Sequence, residues 1–256
     1  MKMHQVMFGT KAENIFVYGT TIHKLLKELF PEGMIDEDMD VMAVLRNMAD
    51  DKNRELLSNR YSDIILVFDF DMHDPRFDMD LLMLATRFFD NSTVRGKLYL
   101  NYPMMESYKH LKSEFDEDYL KRTVSVDCGS SYKGLVDQEC CDSLKYPEKY
   151  TVSIFRRLSF YNLRKTNYIL SGSDRVPSEE EYLGWTSDSI LEKQMKLIDS
   201  SHEMYVLNTL MLYPVDYNLS MFIGSSSDVI TGEEVLGRCI GMASRRFGCS
   251  MGRKIE

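Results

Sequence analysis

The residues best suited to chemistry gather at Asp69-Phe70-Asp71, which ends the run Asp63-Ile64-Ile65-Leu66-Val67-Phe68. Side chains alternate along a strand, so Asp69 and Asp71 share a face and Phe70 points the other way. The run is continuous, β-branched and aromatic, which predicts a strand covered on both faces, as in a parallel sheet under helices. The carboxyl edge of such a sheet is its usual ligand crevice. Two carboxylates there repel, and both pKa values rise unless a cation joins them. Mg²⁺ (or Mn²⁺), a hard cation completed by water and phosphate oxygens, suits that donor set. His73 and Asp74 follow at once as further ligands or a proton-transfer group. The plainer reading is an acidic loop capping the next helix, with Asp78 and Asp80 acting alike. The fully apolar strand before it favours the metal.

Positioning these groups requires a sheet with crossovers. Strands are predicted at Gln5–Phe8, Asp63–Asp71 and Lys97–Pro103. Helices are predicted over Ala12–Phe30, Asp36–Asn59, Met79–Phe89 and Met104–Phe115. That order predicts an α/β domain over residues 1–115. Beyond it the patterns are helical, at Glu148–Leu170, Ser178–Pro214 and Glu233–Arg246, with no strong buried strand. Residues 116–256 are therefore expected as a mainly helical domain or appendage.

A hydrophobic strand ending in D-x-D, preceded by an N-terminal strand–turn–helix with an acidic residue, resembles the TOPRIM fold. Topoisomerases, DnaG-type primases, OLD-family nucleases and small RloB-type anti-phage nucleases share that fold. Asn101-Tyr102-Pro103-Met104-Met105-Glu106 is similar to the N-x-P-x-x-E segment of the small defence members. The likeness covers residues 4–112. It implies a TOPRIM-like parallel sheet flanked by helices and a metal-dependent endonuclease cleaving DNA or RNA, tRNA included. The implied ligands are Asp69, Asp71, Glu106 and a glutamate after the first strand. The chain departs from the family there, because Phe8-Gly9 stands where an E-G pair is usual. Glu13, one turn into the following helix, is the substitute carboxylate. In the nuclease reading Glu106 holds a second ion or orients water, and His73 or Lys11 contacts the scissile phosphate. A partner ATPase and a homo-oligomer are the expected assemblies. Two alternatives stand beside it. One is a haloacid-dehalogenase-type phosphohydrolase, with Asp69 as nucleophile and Asp71 as acid/base. The other is a catalytically degenerate TOPRIM subunit that binds or regulates.

Charge adds a second theme. The 256 residues carry 31 Lys+Arg and 40 Asp+Glu, a formal charge of −9, which excludes polyanion binding by total charge. Two segments nevertheless lack acids. From Tyr150 to Ser173 the chain carries Arg156, Arg157, Arg164 and Lys165. At helical spacing Arg157, Tyr161, Arg164 and Tyr168 share a face, a mixture suited to a phosphate backbone with unpaired bases. The second segment, Val235–Ile255, includes Arg245 and Arg246. The competing expectation is that the tyrosines face the core and the arginines pair with acidic stretches such as Glu114–Asp118. Five cysteines with no CxxC pair argue against a zinc or disulfide framework. No apolar run reaches the length of a membrane span, so a reduced cytoplasmic setting is expected.

Overall fold

The computed structural model describes residues 2–11, 17, 19–31, 33 and 39–223. The chain opens with helix α1 (Lys2–Phe8), followed by α2 (Ile22–Leu29), α3 (Val41–Met48) and α4 (Asp51–Leu57). Strand β1 (Ile65–Asp69) leads to α5 (Met79–Phe88), a two-residue β2 (Asp90–Asn91) and β3 (Gly96–Asn101). A 3₁₀ turn at Met105–Lys109 follows, then β4 (Thr123–Ser125), α6 (Ser131–Glu139) and the long α7 (Val152–Ser171). The described chain closes with α8 (Glu179–Leu183), α9 (Ser187–Ser201), β5 (Glu203–Tyr205) and α10 (Tyr213–Tyr217).

The class is mixed α/β with a small mixed sheet. Its order is β1-β3-β2, with β1 and β3 parallel and β2 antiparallel to β3. Alternation divides its side chains between two cores. Leu66, Leu98 and Leu100 enter one, with α2, α3, α5 and α9, while Tyr99 enters the other, with α1, α6 and α7. The first core also takes Ile169, Ile190, Ile198, Met204 and Leu207, so apolar packing crosses the expected boundary at residue 115.

Several expected elements differ. Gln5–Phe8 is helical, not a strand: buried Met3 and half-buried Val6 and Met7 follow helical spacing and line the second core. The described part of the helix expected over 36–59 is two helices, because the Asp50 side chain accepts from the Asn53 N–H and starts α4 afresh. Past Met104 only a single 3₁₀ turn forms, ending at His110. The stretch predicted as one helix over 178–214 breaks at Gly184–Thr186, and again at His202, whose φ of 58° ends α9. β5 follows and pairs antiparallel with β4, two three-residue strands far apart in sequence. The expected helix Glu233–Arg246 lies outside the described residues.

Candidate functional site

Parallel register sets Asp69 directly beside Asn101 at the carboxyl ends of β1 and β3. The Phe70 N–H donates to the Asn101 carbonyl at 2.9 Å, so pairing continues one residue past β1. The chain leaves β3 through the cis Tyr102–Pro103 peptide, and the 3₁₀ turn brings residues 105–106 back over the strand end. The Met105 N–H faces the Asp69 carboxylate, and the Glu106 and Asp71 carboxylates act on it through space. Asp69 is open to solvent on one side, while protein atoms crowd the other. Burial of that side, with Glu106 and Asp71 adding to it, pushes its pKa up to about 6 against the opposing pull of the Met105 N–H.

The other groups near the strand end are differently engaged. Asp71 Oδ1 accepts the His73 N–H at 3.0 Å, and its carbonyl accepts from Nε2 of buried His23 at 2.9 Å. His73 Nε2 donates to the Val126 carbonyl at 3.0 Å and lies 3.7 Å from Asp127. Asp127 also pairs with His202 at 2.8 Å. The His73 ring is thus committed to the turn at 126–127 and not to Asp69. Asp74 binds Arg76 through both oxygens, and these bonds hold its carboxyl well below the usual range. Lys133 of α6 reaches Glu106 at 3.3 Å. Its side chain is 64% exposed, so this cation is held loosely.

The structure brings Asp69, Asp71 and Glu106 into electrostatic contact. Glu13, Arg245 and Arg246 lie outside the described residues. Lys11 is exposed just beyond α1. Phe8 meets Tyr217 at 4.6 Å with the rings tilted, and the Tyr213 ring edge-on at 5.5 Å. The donor chemistry fits a hard divalent cation: oxygen ligands only, with mutual repulsion that such an ion relieves. Among the described residues, however, no three His, Cys, Asp or Glu side chains converge into an ion-sized group.

The basic face expected on α7 is not a surface stripe. Tyr161 is 1% exposed and Lys165 0%. The Lys165 ammonium donates to the Tyr119 and Arg122 carbonyls at 2.6 and 2.7 Å, and burial draws its pKa well down. Arg157 pairs with Glu114 and donates to Ser143 at 2.9 Å. Arg164 forks onto Glu117 with two bonds of 2.9 Å, and Arg156 is half-buried. The reason lies in the length of α7 and its central place, which surround the helix with protein and draw its cations onto acids and carbonyls.

Residue-type reasoning missed Lys133 and the segment 207–210, which grips the strand end. Asn208 and Thr209 interrupt the apolar stretch Val206–Leu212. A polar pair in such a run is the signal that could have found them, since buried polar groups need partners. No family model matches the chain, and comparisons with curated proteins and with solved structures likewise found no match.

Proposed function

We propose that this chain is a divalent-metal-dependent phosphodiesterase of TOPRIM-like type, an endonuclease for DNA or RNA acting in anti-phage defence. The supporting observation is the Asp69 carboxyl, held near pH 6 beside Glu106 and Asp71 at the carboxyl edge of a parallel strand pair. Three carboxylates beside one loosely held cation, Lys133, repel one another, and binding a metal and phosphate would offset that repulsion. Asp69 and Glu106 would hold Mg²⁺ or Mn²⁺, with Asp71 in support and Glu13 as the further carboxylate. Such an ion supplies a water activated at neutral pH and charge neutralisation at the departing oxygen. Lys133, released from Glu106, would meet the phosphate. The defence role, a partner ATPase and a homo-oligomer rest on the sequence resemblance alone.

The test incubates the protein and Asp69→Ala with Mg²⁺ or Mn²⁺ against plasmid, single-stranded DNA, tRNA and p-nitrophenyl phosphate. Polynucleotide cleavage that falls about 100-fold or more in the variant is the expected result. Turnover of the small ester alone would move the assignment to a phosphomonoesterase. An intact fold with neither cleavage nor metal binding would leave a binding subunit, which the Glu106–Lys133 pair also suits.

A further inference from the structure

We infer that Asn208 is the positioning residue of this site: its buried amide holds the turn that presents Glu106 to Asp69. The inference rests on the reading of Asp69 and Glu106 as the functional pair. Asn208 is 0% exposed, and Nδ2 donates to the Met105 carbonyl at 2.9 Å and to Ser107 Oγ at 3.3 Å. A backbone carbonyl only accepts, so the amide nitrogen must face it. On its other side residue 105 turns its N–H toward the Asp69 carboxylate. The two bonds from Asn208 therefore tie residues 105 and 107 to one amide, with Glu106 between them.

Asn208 is itself fixed. Its N–H donates to Asn162 Oδ1 of α7 at 2.9 Å, and that oxygen also accepts from Tyr119 Oη at 2.8 Å. Its neighbours bind the strand end: Leu207 exchanges backbone bonds of 2.9 and 2.8 Å with Tyr102, and Thr209 Oγ1 donates to the Leu100 carbonyl at 3.0 Å. A short 3₁₀ turn has little rigidity of its own. Its placement comes from this outer layer of bonds, the kind of support that orients charged ligands.

The experiment compares Asn208→Ala with Ile198→Ala, a core truncation remote from residues 105–107 that lowers the melting temperature without touching the turn. Both variants are read at a temperature where each is folded, by kcat and KM on the cleaved polynucleotide and by amide hydrogen exchange at Met105 and Ser107. Asn208→Ala is expected to lose at least about tenfold in kcat with KM within about twofold, and to exchange those amides at least about tenfold faster. Ile198→Ala is expected to keep both near wild type. Unchanged exchange at Met105 and Ser107 in Asn208→Ala overturns the proposal, as does equal loss of kcat in both variants. If the wild type cleaves nothing, the nuclease reading fails separately, and the exchange result alone decides whether Asn208 holds the turn.

Discussion

The edge at Asp69 and the interior around α7 treat charge in opposite ways. Inside, Arg122 meets Asp116 at 2.8 and 3.2 Å and the His110 carbonyl at 2.6 Å, and Lys165 caps two carbonyls. Burial works to raise the Asp116 pKa, yet Arg122 and the Lys112 N–H outweigh it and hold the carboxyl below its usual range. At the edge, Asp69 is shifted the other way, by burial and by carboxylates of its own sign. In the interior Arg122 and Asp116 satisfy each other, and Lys165 is held by carbonyl dipoles against the pull of burial. The edge sets like charges together beside a loosely held Lys133, the pattern that separates a candidate site from a structural ion network.

The largest effect that sharpens this contrast is expected at Arg122. Arg122→Met leaves the Asp116 carboxylate, whose side chain is 6% exposed, without its cation. Chemical denaturation should report a loss of ~3–5 kcal/mol, and a loss under 1 kcal/mol would break the structural reading of the interior. Lys165→Met comes next. It strips the donor from the Tyr119 and Arg122 carbonyls and should cost ~2–3 kcal/mol in the same measurement.

Asp69→Asn should act with the opposite sign. The folded pKa of Asp69, about 6, lies above the ordinary value of 3.8. The folded state therefore binds the extra proton between those values, and wild-type stability falls as pH rises through that window. Asp69→Asn should match the wild type below about pH 4 and exceed it by roughly 1 kcal/mol at pH 8, a figure already reduced for solvent screening. Millimolar Mg²⁺ should close that gap by stabilising the wild type alone, as melting curves at both pH values will show. The smallest effect belongs to Lys145→Ala, whose surface pair with Asp142 joins side chains 42% and 93% exposed: about 0.5 kcal/mol, with cleavage unchanged within about twofold.

Local pattern was legible where local physics decides. The run ending at Asp69 formed a strand and residues 79–88 a helix. What stayed hidden depends on distant partners. β4 and β5 exist because Thr123 meets Tyr205 across the chain, and three-residue strands leave no periodicity to read. The α7 stripe misled because arginines and tyrosines at helical spacing look alike whether they face solvent or a satisfied interior. The carboxylates of the D-x-D segment were visible, but not that His73 would turn to Val126, nor that Asn208 would stand behind Glu106.

One pairing carries a consequence for biosynthesis. Tyr102 and Leu207 form an isolated antiparallel bridge, closing a loop of about a hundred residues at the strand end that leads into the Glu106 turn. Such a contact cannot form while the ribosome still holds its second half, and synthesis proceeds from the N-terminus. A growing polypeptide that has emerged only as far as α7 has Asp69 and Glu106 but nothing to grip residues 105–107 from behind. The acidic edge is assembled only after translation passes residue 208, so a chain abandoned midway is released without its completed site.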